Sequence, residues 1–247
     1  MTETTTLYNT IQPLRNVAAL VSLIDRVQNR SVGLPGMATF YGFSGFGKTT
    51  AAIYAANKFD TYQIQLKSCW TGRKFCKSIL LEMGIKPEKT IADMVDQIAQ
   101  ELSYSQRPLL IDEADVLVKK NLIELARDIY ESSNSPVILI GEENLPQNLQ
   151  RWERVHGRML DWVPALPACL DDVGHLAKIY CPTVELARDF QDHLLRAAQH
   201  SIRRVCNNLE KTREVATIEG ITTMDLKAWG KREFFPTAAP KPRRELV

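Results

Sequence analysis

The chain has 247 residues, 45% of them hydrophobic, a formal net charge of +2 and five cysteines. That suffices for one substantial core plus a smaller satellite domain, and so small a net charge does not by itself announce a nucleic-acid binder. With no apolar run near the roughly 18 residues of a membrane span, a polar start unlike a secretory leader, and Cys69, Cys76, Cys169, Cys181 and Cys206 scattered without zinc-site spacing, the expectation is a cytoplasmic protein with reduced, packing cysteines.

In chain order, Val17, Leu20, Val21, Ile24 and Val27 share one helical face, with Asn16 the expected cap. Residues 31–36 break the chain, and Met37-Ala38-Thr39-Phe40-Tyr41 reads as a first strand. It runs into Gly42-Phe43-Ser44-Gly45-Phe46-Gly47-Lys48-Thr49, which completes the pattern GxxxxGK[ST], and Thr50 continues into a helix. Phosphate binding asks for these residue types. Glycines let the backbone N–H groups wrap a phosphate, and the following helix adds its positive N-terminal end. Lys48 can reach the β- and γ-phosphates, and the Thr49 hydroxyl can ligate Mg²⁺. Gly42, Ser44, Gly45, Phe46, Gly47, Lys48, Thr49 and Thr50 are thus expected to line a nucleoside triphosphate site.

Residues 62–66 alternate like a strand, and 71–83 and 91–102 read as amphipathic helices separated by Gly84 and Pro87. Residues 108–111 form an unbroken apolar run, suited to a strand buried on both faces, that ends in Asp112-Glu113-Ala114-Asp115. Four apolar positions before Asp-Glu make a Walker B element, with Asp112 held near Mg²⁺ and Glu113 able to polarise an attacking water. The strand and two helices between the motifs resemble the arrangement of NTPases whose two motif strands are not sheet neighbours. Beyond them, 121–130 is expected to be helical, 136–141 a buried strand, 145–160 helical, and Asp161-Trp162-Val163 a short last strand before Pro164 and Pro167. From Leu170 on, apolar residues recur at helical spacing, with a strand signal only at 216–218.

The expected fold is α/β: a parallel sheet flanked by helices, followed by a small helical lid. The expected divisions are 1–30 (linker and helix), 31–165 (nucleotide core), 166–230 (lid) and 231–247 (flexible basic tail). The tail suits either a solubilising terminus or a contact to DNA or a partner.

Motifs of this kind in this order resemble the AAA+ ATPases over about residues 15–230. The resemblance implies a P-loop NTPase fold, ATP and Mg²⁺ as cofactors, ATP hydrolysis, and an active site shared between subunits. It implies catalytic roles for Lys48 and Glu113 and an arginine supplied to the neighbour's γ-phosphate. Arg158, in His156-Gly157-Arg158-Met159, matches that place, with Arg151 and Arg154 as competitors. It further implies a lid arginine that touches nucleotide, Arg203 with Arg204 as the alternative, and a polar sensor after the fourth strand. There the chain departs, with Glu142-Glu143 following Gly141, so Asn144 is the candidate.

Within that superfamily, the run from Tyr41 through the loop to Thr49-Thr50-Ala51-Ala52, and Lys67-Ser68-Cys69-Trp70-Thr71, look like the phage Mu transposition protein B family. That similarity implies a phage- or mobile-element-encoded protein of the bacterial cytoplasm, without membrane attachment. It would assemble as a homo-oligomeric filament or ring on duplex DNA, without sequence preference, and deliver target DNA to a transposase while hydrolysing ATP slowly. The family's larger members carry an N-terminal helix-turn-helix domain, whereas only residues 1–30 precede the core here. Lys67, Thr71, Arg73 and Lys74 are the candidate backbone contacts, although the same residues suit a solvated helix start. Trp70 reads as packing. Two other classes share the core: a secretion-type assembly ATPase without DNA binding, and a replication-initiator or helicase-loader ATPase, for whose winged-helix domain the stretch after Pro167 leaves little room.

Overall fold

In the computed structural model, which describes residues 14–235, the most apolar runs of the sequence become the centre of one parallel sheet. Its strands are β1 (Met37–Tyr41), β2 (Tyr62–Gln65), β3 (Leu109–Asp112), β4 (Val137–Gly141) and β5 (Met159–Pro164), in the spatial order β2-β3-β4-β1-β5. Every neighbouring pair is parallel. Leu109, Ile111, Val137 and Leu139 join one core with Phe75, Ile79, Met94 and Ile98. The alternate residues Leu110, Ile138 and Ile140 are equally buried on the other face. Burial on both faces is why these runs carry no polar alternation.

The helices of this unit are α1 (Arg15–Gln28), α2 (Lys48–Phe59), α3 (Gly72–Glu82), α4 (Ile91–Ser105), α5 (Asp115–Lys119), α6 (Ile123–Ser133), α7 (Leu145–Leu149) and α8 (Glu153–His156). Thr71 and Thr90 cap α3 and α4 by accepting the backbone N–H of Lys74 and Asp93. The two motif strands, β1 and β3, are not neighbours, as expected. The strand between them in space is β4, while β2, which separates them in sequence, lies at the sheet edge beyond β3.

Several expectations give way. Asn16 lies inside α1 rather than capping it. The helix expected over 145–160 is two short helices joined by a turn, and Met159 and Leu160 already belong to β5. The helix expected from 121 starts at Ile123, because Asn121 takes a left-handed φ of 56° that ends the preceding turn.

The described residues divide into two compact units, Arg15–Leu166 and a second made of Leu14 and residues 167–235. The second contains α9 (Leu170–Tyr180), β6 (Glu185–Leu186), α10 (Arg188–Ala197), α11 (Ile202–Glu219), β7 (Thr223–Met224) and α12 (Leu226–Trp229). The strand signal at 216–218 lies within α11, and the strands of this unit are the two-residue β6 and β7, paired in parallel. Phe190, Trp229 and Phe234 pack together, with the last two rings stacked at 4.7 Å. The expected tail does not begin at 231. Lys211 donates to the Glu233 carbonyl at 2.6 Å and lies over the Phe235 ring, and the Phe235 N–H donates to Asn208. The tail beyond Phe235, and residues 1–13, lie outside the described residues. No helix among the described residues is long and apolar enough to cross a membrane.

Candidate functional site

The C-terminal ends of β1, β4 and β3 lie side by side, and the motif residues leave the sheet there. The Gly42 N–H donates to the Gly141 carbonyl at 3.2 Å, anchoring the start of the loop to the end of β4. Gly47 closes the loop at φ 80° and ψ 18°, a left-handed conformation that costs a side-chain-bearing residue about 1–2 kcal/mol, and α2 begins at the next residue. The Lys48 ammonium folds back on the loop, donating to the carbonyls of Gly42 at 2.6 Å and Phe43 at 2.9 Å. Burial lowers its pKa, against the opposing pull of the carboxylates of Asp112, Glu113, Asp115 and Glu143.

The Thr49 hydroxyl donates to Asp112 Oδ2 at 2.8 Å, and Asp112 Oδ1 accepts the Glu113 N–H at 2.9 Å. Asp112 is buried, whereas Glu113 is exposed. Glu113 takes a φ of 57°, an uncommon conformation for a residue with a side chain. Partial burial first, then the charges of Asp112, Asp115 and Glu142, raise its carboxyl pKa. A hydroxyl and a carboxylate already within hydrogen-bond distance are hard oxygen donors that fit Mg²⁺. No group of three or more His, Cys, Asp or Glu side chains among the described residues could hold a metal ion alone. A cation here would therefore complete its shell with phosphate and water oxygens, as Mg²⁺ commonly does.

Asp115, the last residue of the acidic run, crosses from α5 to the end of β4. Its Oδ2 accepts the Glu142 N–H at 2.7 Å, and burial raises its pKa. A Cβ on Gly141 would lie 2.3 Å from that oxygen and 2.7 Å from Leu145 Cδ2, so any side chain there forces the Asp115 carboxylate to shift. The turn after Gly141 carries Glu143, whose charge reaches Lys48, and then Asn144, which is exposed and makes no side-chain cap to α7. Sequence spacing pointed to Asn144 and passed over Asp115 and Glu143. The fourth position of Asp-Glu-Ala-Asp was the available signal.

Arg158 lies at the other edge of the sheet. Its carbonyl accepts the Met37 N–H at the start of β1, about 15 Å of strand from the phosphate loop. Its guanidinium pairs with Glu131 at 2.5 Å, and Glu131 also meets Arg127 at 3.6 Å. Arg151 and Arg154 are exposed. Arg203 and Arg204 lie in the first turn of α11, in the second unit, with Arg203 exposed.

The four candidate DNA residues flank Trp70, whose ring packs on the core while its carbonyl accepts Lys120 Nζ at 2.9 Å. Lys74 Nζ lies 5.5 Å from the centroid of that ring, and Lys67 is exposed. Thr71 accepts the helix-capping N–H and keeps its O–H as a donor, whereas Arg73 is turned to the Lys89 carbonyl. Lys120 was missed by sequence reading, and its neighbour Lys119 pairs with Glu142 at 3.8 Å.

Residues 32–149 match the family model described as an AAA domain. Three of the solved structures with a similar fold are Cdc6p from Pyrobaculum aerophilum, the Orc1 protein of Aeropyrum pernix in complex with DNA, and the RuvB Holliday junction branch migration motor of Thermotoga maritima. The first is 14% identical with a TM-score of 0.59, over 87% of this chain and 64% of that one. The second is 17% identical with a TM-score of 0.61, over 88% and 64%. The third is 17% identical with a TM-score of 0.57, over 87% and 67%. The chain thus spans less than two thirds of the first two. No curated protein sequence matches it. The fold is that of an AAA+ P-loop NTPase, a five-stranded parallel sheet flanked by helices.

Gly141→Ala is expected to lower stability by about 1–3 kcal/mol, through overpacking against Asp115. Asp115→Ala should relieve part of that loss, so that urea unfolding of the double variant falls short of the sum of the singles; strict additivity would place the strain elsewhere.

Proposed function

We propose that the chain is an AAA+ ATPase that binds duplex DNA without sequence preference, assembles on it as a homo-oligomer, and delivers that DNA to a transposase. One observation carries the reading: Lys48, Thr49, Asp112 and Glu113 gather at the C-terminal edge of the sheet, while Arg158 stands at the opposite edge of the same molecule.

In this reading Lys48 exchanges the carbonyls of Gly42 and Phe43 for the β- and γ-phosphates of ATP, and the loop N–H groups hold the remaining oxygens. Thr49 and Asp112 would hold Mg²⁺, which neutralises charge on the phosphates. Glu113 orients a water and accepts its proton as the water oxygen attacks the γ-phosphorus. The bond to the β–γ bridging oxygen then breaks, releasing ADP and phosphate. Asn144 senses the γ-phosphate, and Arg203 contacts nucleotide. Arg158, some 15 Å of strand from its own loop, acts on the nucleotide of a neighbouring copy and must leave Glu131 to do so.

DNA is held by its backbone. Lys74 and Lys120 meet Trp70 at its ring and its carbonyl, and the exposed Lys67, with Thr71 and Arg73, supplies further donors. Such groups neutralise phosphates without reading bases, which suits a protein that accepts many targets. The segment from Lys67 to Thr71 is also among those similar to the Mu transposition protein B family, which supports the transposase assignment. The fold likeness to Cdc6p and Orc1 favours a second reading, a replication-initiator ATPase. Preference for one origin-like sequence and indifference to a transposase would select it.

Binding to duplex DNA should require ATP, show no sequence preference and fall steeply with salt, while Lys67→Ala, Lys74→Ala and Lys120→Ala should each reduce the log–log salt slope by about one. No binding at low salt with ATP would discard the DNA reading in favour of a secretion-type assembly ATPase.

Lys48→Ala should abolish nucleotide binding, whereas Glu113→Gln should still assemble but turn over far more slowly. Neither Arg158→Ala nor Lys48→Ala alone should hydrolyse ATP, yet mixing them should restore activity through sites that pair an intact loop with an intact arginine. Arginines in this role are worth about 10³-fold or more in rate, so even partial restoration is measurable. An inactive mixture would remove Arg158 from the shared site.

A further inference from the structure

Asn16 is the second residue of α1 and only 6% exposed, yet it spends its side chain on backbone far away in sequence. Its Nδ2 donates to the Phe46 carbonyl and to the Leu166 carbonyl, each at 2.8 Å. Its Oδ1 accepts the Leu166 N–H, also at 2.8 Å. Both amide hydrogens and the oxygen are therefore engaged, and nothing in α1 itself uses them.

The two partners are mechanically distinct. Phe46 lies in the phosphate loop just before the left-handed Gly47. In a loop whose N–H groups converge on a phosphate, the carbonyls are turned outward, and an outward carbonyl buried from water needs a donor. A trans peptide unit directs its C=O and N–H to opposite sides. A donor that grips the Phe46 oxygen therefore also sets where the Gly47 N–H points. Leu166 follows β5 and is the last residue before Pro167, where the main part of the second unit begins. Its paired bonds with Asn16, one given and one received, fix that backbone as a strand partner would.

We infer that Asn16 is a positioning residue for phosphate binding: it holds the Phe46–Gly47 peptide plane in its phosphate-accepting orientation and ties that plane to the backbone at Leu166. The inference rests on reading Gly42–Thr49 as a phosphate site, and on neither DNA binding nor hydrolysis. Because the Gly47 N–H serves a phosphate common to ADP and ATP, Asn16 sets affinity for both nucleotides alike.

The test compares affinities for fluorescent ADP and ATP analogues in the wild-type chain, Asn16→Ala and Asn16→Asp, with thermal midpoints measured alongside. Asn16→Asp keeps the shape and the acceptor for the Leu166 N–H but presents an oxygen to the Phe46 and Leu166 carbonyls. Loss of one such bond predicts about tenfold weaker binding of both nucleotides, at least as severe in Asn16→Asp as in Asn16→Ala. Any hydrolysis should show a raised KM with little change in kcat. In the wild-type protein, ADP should slow hydrogen exchange at the Leu166 amide, a readout that stands even if a variant does not fold. Unchanged nucleotide affinity in folded variants, with or without a lower thermal midpoint, overturns the inference, as does Leu166 exchange that ignores bound ADP. A wild-type chain that binds neither nucleotide overturns this inference together with the phosphate-loop reading beneath it.

Discussion

The position of β4 between β1 and β3 is the constraint on which the rest of the first unit depends. Neighbouring strands are about 4.8 Å apart, so the strands that launch the phosphate loop and the acidic run are about 10 Å apart at the sheet. Their side chains can meet only above the end of β4. The loop crosses that gap and brings Thr49, in the first turn of α2, to 2.8 Å from Asp112. Asp115 returns across the same strand end to the Glu142 N–H, and Gly42 binds the Gly141 carbonyl. Two elements thus fasten onto one strand terminus, and Gly141 leaves room for the Asp115 carboxylate because it has no Cβ.

How much of this is legible in sequence follows from how each element is held. The central strands could be read because burial on both faces leaves an apolar run, bounded by the glycines of the loop or by Asp112. The phosphate loop could be read because its backbone requires glycine at fixed offsets. β5, by contrast, is half-buried along most of its length, so Met159 and Leu160 look like the end of an amphipathic helix. The stretch before it keeps helical spacing, but the chain turns between Leu149 and Glu153. β6 and β7 pair over two residues each, too short for any period to register. Asn16 is the instructive failure. A helix-start asparagine ordinarily caps its own helix, and only the fold reveals that its partners are 30 and 150 residues away.

Charge shows the same limit. A net charge of +2 conceals local concentrations of one sign, because Lys67, Lys74 and Lys120 come from the loop after β2, the start of α3 and the turn after α5. Trp70 gathers the last two of these lysines. Its ring, anchored on the core, offers a face to one ammonium while its carbonyl binds another. Lys74 and Lys120 are held against the Trp70 that packs on the core, so a ligand bound there would meet cations already arranged and would lose less side-chain entropy in binding.

The parallel sheet also decides what Arg158 can do. Parallel strands give every element that follows a strand to one edge and every element that precedes one to the other. Arg158 precedes β5 and pairs through its carbonyl with the first residue of β1, so no rotamer carries its guanidinium along β1 to the loop at the far end. An arginine has about 6–7 Å of reach beyond its Cα, less than half the roughly 15 Å of intervening strand. If Arg158 serves a γ-phosphate, that phosphate belongs to another molecule, and the ion pair with Glu131 holds the guanidinium until a neighbour arrives. That pair is solvent-exposed, and exposed pairs contribute about 1 kcal/mol or less. On the proposed reading, a triphosphate in a desolvated interface would outcompete Glu131, and assembly, rather than the chemistry of a single subunit, would be the step that completes the site.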